Sequence, residues 1–343
     1  MMPHILVGVT SCLFALILTP FALRLACRIG ALDKPGGRKI HKEPKPLLGG
    51  LAVFLAFWLS VAIFLPFLGG GRELLGLFFG TTIILVLGIV DDLKRLSYKI
   101  KFAGQALAVL VVLLFNIRIQ FLNLPFQGTI FLGAFVIPLT VLWLVGVTNA
   151  VNLIDGVDGL ASGVAAINAV VIAYLTWGEI PLVTFMALAL AGAVLGFLPY
   201  NFSPAKIFLG DAGSLFLGFT LAVLAIMGLT KQVTFTTLLV PVLVLGLPIA
   251  DTLFAILRRL KNKKPVFQAD RGHLHHKLLD WGLSTRQTVL LLYLSSGYFG
   301  LSAILVDRLE SFYWAFLPLL AGFVLLNFRQ DSRPQTQRNT LDR

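Results

Sequence analysis

The 343-residue chain has very little charge and almost no cysteine. Both shortages limit the classes of protein to which it can belong. Only 13% of its residues are charged, whereas a soluble domain typically has about 25%. The two cysteines, Cys12 and Cys27, would lie about 22 Å apart on one helix, too far for a bond with each other. A disulfide-stabilised secreted domain and an ordinary soluble enzyme are therefore both disfavoured.

The sequence also lacks the common nucleotide-binding and nucleophile motifs. It contains no P-loop pattern, no dinucleotide fingerprint and no nucleophilic serine or cysteine elbow. A bound nucleotide would therefore be held by a metal ion and side chains. The net charge of +12 could suggest nucleic acid, but no basic helix or aromatic platform of that kind occurs, so we expect no nucleic-acid partner.

Long apolar runs fill most of the chain. Runs such as 74–90 and 131–147 contain no charged side chain, and crossing the hydrocarbon of a membrane takes roughly 20 apolar residues. The pattern predicts an all-α integral membrane protein, a polytopic bundle of about eleven transmembrane helices. The predicted spans are 4–23, 48–68, 74–90, 102–116, 131–148, 159–177, 181–198, 214–229, 234–257, 286–306 and 312–328.

The basic residues predict how the bundle is oriented. Of the 28 Lys and Arg residues, 24 fall on the side with the longer polar connections, which the positive-inside rule places in the cytoplasm. The N-terminus is then outside and the C-terminus cytoplasmic. Alternating apolar residues predict a short outer hairpin near 117–130. We expect one membrane domain over 1–328, followed by a polar, disordered cytoplasmic tail over 329–343.

Five polar segments on the predicted cytoplasmic side interrupt the apolar sequence. They are 41–50 (HKEPKPLLGG), 91–105 (DDLKRLSYKIKFAGQ), 149–161 (NAVNLIDGVDGLA), 204–214 (PAKIFLGDAGS) and 269–278 (ADRGHLHHKL). Charge beside a membrane span costs free energy unless it has a partner or a function. Because carboxylates cluster in these segments, metal-assisted chemistry at the membrane surface is the leading interpretation.

The second polar segment opens with an acidic pair. Asp91 and Asp92 are adjacent and repel each other unless a cation lies near them. Lys101 follows them, and acids combined with lysines recur in phosphoryl transfer, where the lysine neutralises phosphate oxygens. The alternative is a polar pair that ends a helix at the membrane interface.

In the third polar segment, amides and acids recur at every third position. Asn149, Asn152, Asp155 and Asp158 would spread over one broad face of a helix, and the glycines nearby indicate that the helix loosens there. Amide and carboxylate oxygens are the ligands that Mg²⁺ prefers. In the fourth segment, Asp211 lies between glycines just before a span, as either a metal ligand or a helix N-cap.

The last polar segment contains three histidines, His273, His275 and His276, after Arg271. Zinc is one interpretation, but the spacing lacks separated ligand pairs and a cysteine partner. Imidazoles beside an arginine also suit a phosphate-bearing substrate. Asp251 lies inside an apolar span, and we expect it to cap or pair within the bundle rather than to take part in catalysis.

Taken together, the polar segments resemble the polyprenyl-phosphate N-acetylhexosamine-1-phosphate transferases. The resemblance runs in order over about residues 30–285 and rests on Asp91-Asp92 with Lys101 and Gln105, on 149–161, on 204–214 and on His273-Leu274-His275-His276. It implies transfer of a sugar 1-phosphate from a UDP-sugar to a polyprenyl phosphate, with release of UMP. It also implies the bacterial plasma membrane, an active site facing the cytoplasm, and Mg²⁺, or Mn²⁺ in its place, as the cofactor.

The form of the last segment suggests a branch of the family. ADRGHLHHKL resembles the N-acetylglucosamine-1-phosphate branch, which starts teichoic-acid or O-antigen-type polymers. The muramyl-pentapeptide branch usually has consecutive His-His-His-Phe-Glu at this place. The expected substrates are therefore UDP-GlcNAc and undecaprenyl phosphate, with phospho-MurNAc-pentapeptide or another HexNAc 1-phosphate as the alternative.

The resemblance also implies roles for individual residues. Asp211, Asn152 and Asp92 are implied as metal ligands. Asp91 is implied as the group that deprotonates the lipid phosphate, and Lys101 as a phosphate contact. The implied substrate-binding residues are Asn149, Asp155, Asp158, Phe208, Arg271, His273, His275 and His276.

Other classes and mechanisms stay open at this point. A transporter would carry ionisable groups near the bilayer midplane on broken helices, whereas these acids cluster at the ends of spans. An inactive lipid-binding scaffold would not need the acids. Within the enzyme class, direct attack by the lipid phosphate and a phospho-aspartate intermediate are both open. The oligomeric state is open too, with a homodimer as one option.

Overall fold

The computed structural model describes residues 2–33, 43–67, 71–124, 128–229, 238–265, 272–309 and 311–316, and it is almost entirely helical. The α-helices are α1 (Met2–Ile29), α2 (Gly49–Phe64), α3 (Arg72–Lys94), α4 (Tyr98–Leu114), α5 (Val136–Ile154), α6 (Leu160–Leu175), α7 (Pro181–Asn201), α8 (Gly210–Leu229), α9 (Leu239–Val244), α10 (Gly246–Lys261), α11 (Leu274–Asp280) and α12 (Thr285–Leu309). Short 3₁₀ turns cover Leu65–Phe67, Gly133–Phe135 and Phe312–Phe316. Two antiparallel pairs of strands join β1 (Leu32–Asp33) to β2 (Lys45–Pro46) and β3 (Phe121–Leu124) to β4 (Gly128–Phe131).

Among the described residues, seven helices are long and apolar enough to cross a membrane, namely α1, α2, α3, α5, α7, α8 and α12. Helix α6 is apolar but shorter. The prediction of a polytopic helical membrane protein is confirmed, while the count of eleven spans and the sides of the two termini stay predictions. Residues 317–343, which contain most of the last predicted span and the predicted tail, lie outside the described residues.

The hairpin predicted near 117–130 is present as β3 and β4. Its register pairs Phe121 with Phe131 and Leu122 with Ile130. The backbone N–H of the preceding Ile119 donates to Thr140 Oγ1 (3.0 Å), which joins the base of the hairpin to α5.

The single span predicted over 234–257 is wrong, because the described part of this stretch forms two helices that break at Leu245. Pro248 supplies the physical reason: it has no amide hydrogen, and its ring blocks the carbonyl four residues earlier, which belongs to Val244. That carbonyl instead accepts from Asn168 of α6 at 2.9 Å, in the amide orientation that satisfies the neighbours of Asn168. Helix α10 therefore begins after the break, at Gly246, and Asp251 lies in its second turn.

Helix α8 is the centre of the bundle. It packs against α2, α3, α5, α6 and α7, and Phe216 and Phe219 on it are completely buried. Glycines allow this close packing: a Cβ on Gly50 of α2 would overlap the backbone of Gly213, and a Cβ on Gly88 of α3 would overlap that of Ala212. Small residues at helix crossings are typical of membrane bundles. These contacts determine the position of the N-terminus of α8.

Candidate active site

Four helix ends meet on one side of the bundle, around a cavity of about 820 Å³. They are the C-terminus of α3, the N-terminus of α4, the C-terminus of α5 and the N-terminus of α8. The described lining includes the carboxylates of Asp33, Glu43, Asp91, Asp92, Asp155, Asp158 and Asp211, and the basic side chains of Lys45, Arg95 and Lys101. So large an excess of carboxylates in a partly enclosed space favours binding of a cation.

Lys101 lies between two carboxylates from different helices. Its Nζ forms an ion pair with Asp91 Oδ2 and lies 2.8 Å from Asp211 Oδ2. The Asp91 side chain is only 3% exposed, while those of Lys101 and Asp211 are 30% and 32% exposed. Asp91 Oδ1 also accepts the backbone N–H of Leu96 (2.7 Å). Asp91 is thus the inner partner, and Asp211 and Lys101 face the cavity.

Asp92, the neighbour of Asp91 in sequence, caps the N-terminus of the central helix α8. Its Oδ1 accepts the backbone N–H of Asp211 (2.8 Å), and its Oδ2 accepts that of Ala212 (3.1 Å). These N–H groups have no partner within α8, and the positive end of the helix dipole favours a carboxylate there. Gly210, at φ +73°, allows the close approach, since a Cβ there would lie 2.5 Å from Asp92 Oδ2. Each Asp92 oxygen keeps a lone pair, so its role as a metal ligand stays a prediction.

The two asparagines of α5 have different partners. The Asn152 amide donates to Asp211 Oδ1 and to Ser214 Oγ, both at 2.8 Å. Asn149 exchanges hydrogen bonds with Gln105 of α4 (2.7 and 3.3 Å). Asn152 is therefore next to the acids, whereas Asn149 joins α4 to α5. Ser214 lies in the same polar segment as Asp211, but no pattern in the sequence pointed to a role for it.

Two predicted acids lie in the turn after α5. Asp158 Oδ2 accepts the backbone N–H of Ala205 (2.9 Å), which links this turn to the segment before α8. Burial raises the pKa of Asp155 to about 8, and repulsion from Asp211, Asp92 and Asp158 adds to the effect. The carboxyl of Asp155 therefore holds its proton more tightly than that of an ordinary aspartate.

The three histidines occupy different environments. His276 lines the cavity. His275 is 2% exposed and lies so close to Gly156 that a Cβ there would overlap its ring. His273 is 5% exposed, and its Nδ1 lies 2.7 Å from Asp251 Oδ2. The interpretation of Asp251 as a pairing or capping residue is confirmed.

Of the remaining predicted contacts, Phe208 lines the cavity, and its backbone N–H donates to the Pro46 carbonyl (2.8 Å). Arg271 lies outside the described residues. The cavity is also lined by Arg95 and Thr285, which sequence analysis did not assign. Arg95 belongs to a predicted segment, but nothing in the sequence around Thr285 indicated a site.

The residues fit a hard divalent cation better than zinc. The Lys101 ammonium lies where the carboxylates of Asp91 and Asp211 converge, so a positive charge fits there. The adjoining carboxylates of Asp211 and Asp92 offer oxygens, which Mg²⁺ and Mn²⁺ prefer as ligands. The Asn152 side chain directs its amide nitrogen to Asp211, so its oxygen would reach a cation only after the amide rotates. Among the described residues, no group of three or more His, Cys, Asp and Glu side chains is arranged to hold a metal ion of either kind. The preference for a hard cation therefore rests on the oxygen chemistry of Asp211 and Asp92.

The burial of His275 leads to a prediction about stability. Burial, and then the charge of neighbouring His276, lowers the pKa of His275 to about 4, whereas a histidine in the unfolded chain has a pKa of about 6.5. Between these values the unfolded state binds more protons, so acid destabilises the fold. We expect this group to lower the free energy of unfolding by about 2 kcal/mol between pH 7 and pH 5.

Thermal unfolding of the detergent-solubilised protein at pH 7 and pH 5 measures this effect. A glutamine at position 275 does not titrate in this range. The thermal midpoint of His275→Gln should therefore fall less between pH 7 and pH 5 than that of the unsubstituted protein. Equal losses in the two proteins would contradict the prediction.

Comparison with known proteins identifies the family. Residues 74–229 match the profile of glycosyl transferase family 4. The chain is 42% identical over 329 residues to the probable undecaprenyl-phosphate N-acetylglucosaminyl 1-phosphate transferase of Bacillus subtilis, covering 94% of this chain and 89% of the relative. It is 36% identical over 323 residues to the decaprenyl-phosphate N-acetylglucosaminephosphotransferase of Mycobacterium tuberculosis, covering 85% and 80%.

A relative from the muramyl-pentapeptide branch of the family is also similar to this chain. The chain is 34% identical over 300 residues to the phospho-N-acetylmuramoyl-pentapeptide-transferase of Halalkalibacterium halodurans, covering 81% of this chain and 88% of the relative. The family predicted from the five polar segments is thereby confirmed. The chain belongs to the polyprenyl-phosphate N-acetylhexosamine-1-phosphate transferases of glycosyl transferase family 4.

Proposed function

We propose that this protein transfers N-acetylglucosamine 1-phosphate from UDP-GlcNAc to undecaprenyl phosphate, giving undecaprenyl-pyrophosphoryl-GlcNAc and UMP. The observation that carries the proposal is the convergence of Asp91, Lys101, Asn152 and Asp211 from four helices at one cavity. The relative from Bacillus subtilis, with its similarity over nearly the whole chain, bears a name that describes this reaction.

The reaction joins two anions, and the site has the groups to bring them together. An oxygen of the lipid phosphate attacks the β-phosphorus of UDP-GlcNAc, the bond from that phosphorus to the bridging oxygen breaks, and UMP leaves with the bridging oxygen. Lys101, which faces the cavity between two carboxylates, would lower the repulsion between the phosphates. Asp91 would accept the proton of a lipid phosphate that arrives protonated.

Asp211 and Asn152, with Asp92 beside them, would hold a Mg²⁺ or Mn²⁺ ion. When bound, the ion would neutralise pyrophosphate charge and polarise the phosphoryl oxygens. Asp92 would in addition keep Asp211 in place, because it caps the helix on which Asp211 lies.

The substrates determine where the site must face. The acceptor is a lipid and the sugar nucleotide is soluble and cytoplasmic, so we place this multi-pass protein in the bacterial plasma membrane with the cavity open to the cytoplasm. The positive-inside count of 24 of 28 basic residues supports this orientation. A homodimer stays a prediction that sedimentation of the purified protein can test.

A panel of UDP-sugars tests the proposal. Purified protein in detergent is given undecaprenyl phosphate, one UDP-sugar and Mg²⁺, and UMP release is measured. We expect the highest rate with UDP-GlcNAc, no release after chelation of divalent ions, and recovery with added Mg²⁺ or Mn²⁺. A preference for UDP-MurNAc-pentapeptide would move the protein to the other branch, and no UMP release with any UDP-sugar would contradict the transferase proposal.

The same assay without acceptor lipid separates the two mechanisms. Direct attack requires the lipid, so no UMP should appear in its absence. Stoichiometric release of UMP, one per enzyme, would favour a phospho-aspartate intermediate.

A further inference from the structure

The histidine segment is held by one face of α10. Asp251 and Arg258 are seven residues apart on this helix, which puts them about two turns apart on the same face. Both contact the chain immediately around His273, which is more than a dozen positions away in sequence. Two contacts from one rigid helix hold a short segment far better than either would alone.

The first contact is made by Asp251, which is 3% exposed. Its Oδ1 accepts the backbone N–H of Leu274 (2.8 Å) at the start of α11, and its Oδ2 lies 2.7 Å from His273 Nδ1. An ionised carboxylate only accepts hydrogen bonds, so Nδ1 of His273 carries a proton. Asp251 therefore determines both the start of the helix and which nitrogen of the His273 ring faces the carboxylate with its proton.

The second contact is made by Arg258. Its Nη1 donates to the Gly272 carbonyl at 2.8 Å. The guanidinium lies so close to Gly272 that a Cβ there would overlap it. The backbone is thus held on both sides of His273, at Gly272 and at Leu274.

Only one of the three histidines lines the cavity, and the other two lie behind it. His276 lines the cavity, whereas His273 is buried against Asp251 and is stacked on the His275 ring, with 5.8 Å between ring centroids. His275 in turn lies against Gly156, a cavity residue in the turn after α5. The His275 ring also lies 4.3 Å, between centroids, from the ring of His276. A path of contacts therefore runs from α10 through two buried rings to His276 and the cavity wall.

We propose that Asp251, Arg258 and His273 form a clamp that positions His276 for the sugar nucleotide, and that His273 acts as a positioning residue rather than a substrate contact. The inference rests on the proposed function, because it assumes that a sugar nucleotide occupies the cavity. It assigns Asp251 an effect on nucleotide binding that is transmitted through His273.

A double-mutant cycle tests the link between Asp251 and His273. Asp251→Asn, His273→Ala and the double variant are compared with the unsubstituted enzyme in KM for UDP-GlcNAc and in kcat. We expect each single change to raise KM roughly tenfold with kcat altered less than about threefold, and the double variant to match the singles. Increases that multiply to roughly a hundredfold in the double variant would overturn the clamp.

Three further variants control for a simple loss of folding. Arg258→Gln shortens the side chain so that its amide no longer reaches the Gly272 carbonyl, leaves the buried carboxylate untouched, and should also raise KM. Arg258→Lys keeps a longer side chain with a donor at its end and should restore most of the affinity. Asp280→Asn removes an exposed acid from α11 and is the matched control, with KM unchanged. An effect of Asp280→Asn equal to that of Asp251→Asn, or no effect of Arg258→Gln, would count against the proposal.

Limited trypsin digestion separates failure of the clamp from failure of the proposed function, because it needs no turnover. Cleavage after Lys277, an exposed residue within α11, requires that helix to open. Asp251→Asn and Arg258→Gln should speed this cleavage roughly tenfold, and Asp280→Asn should not. Unchanged cleavage in the first two variants would overturn the clamp even if the enzyme releases UMP as proposed.

Discussion

Asp211→Asn should lower the rate of UMP release about a thousandfold while leaving the fold intact. Asp211 is the more exposed carboxylate of the pair that shares Lys101, and it also accepts a hydrogen bond from the Asn152 amide. The change removes the charge that would hold both the lysine and a divalent cation at the transferred phosphoryl group. A thousandfold corresponds to about 4 kcal/mol of transition-state stabilisation, a typical size for loss of a preorganised electrostatic contact.

The fold should survive because an asparagine at this position can still accept the Asn152 hydrogen bond, and Lys101 keeps Asp91 as its partner. Removing one of several close carboxylates also relieves repulsion. The relief of repulsion offsets part of the lost attraction to Lys101, so we expect a thermal midpoint close to that of the unsubstituted protein. A rate within tenfold of the unsubstituted enzyme, at saturating Mg²⁺, would exclude Asp211 from the catalytic centre.

Gly88→Ala should have the second largest effect, through packing rather than charge. The added methyl group would overlap the backbone of Ala212 in the first turn of α8, and a backbone atom cannot rotate away as a side chain can. Helix α3 would have to move away from α8, which would disturb the hydrogen bonds from Asp211 and Ala212 to Asp92. We expect a loss of about 1–3 kcal/mol of stability from overpacking.

The same displacement should lower activity about a hundredfold, since a shift of about 1 Å in a catalytic group has this effect. Gly146→Ala is the matched control: it is also a glycine in a described helix, and a Cβ there would meet open space. Its stability should be unchanged or slightly higher. UMP release and thermal midpoints measured side by side test the contrast, and equal behaviour of the two variants would rule out the steric explanation.

The candidate site was predictable in its parts but not in its geometry. Acids beside long apolar runs have few explanations, so Asp91, Asp155 and Asp211 could be singled out from their positions alone. That Asp92 would cap α8, 119 positions further along the chain, had no local signal, because the need for a cap arises only where α3 and α8 pack together. The position of His273 against Asp251, away from the cavity lining, was undetectable for the same reason.

The helices, like the site, could be predicted individually, whereas the contacts between them could not. Each of the seven membrane-length helices among the described residues coincides with a predicted span, with ends that differ by at most six residues. Apolar runs have this predictive value because backbone polar groups in hydrocarbon must bond within their own segment. The span predicted over 234–257 failed at Leu245, where Pro248 interrupts the helix and Asn168 from α6 accommodates the break. The proline was visible in the sequence, but its partner on another helix was not.

By itself, the sequence determined the membrane-embedded helical class, the positions of the polar segments and the family resemblance, because hydrophobicity and charge act locally along the chain. Only the tertiary structure decided which carboxylate meets Lys101, which one caps α8 and which histidine reaches the cavity. These choices depend on how closely the helices approach one another, and that approach depends on glycines such as Gly50 and Gly88, whose partners lie far away in sequence.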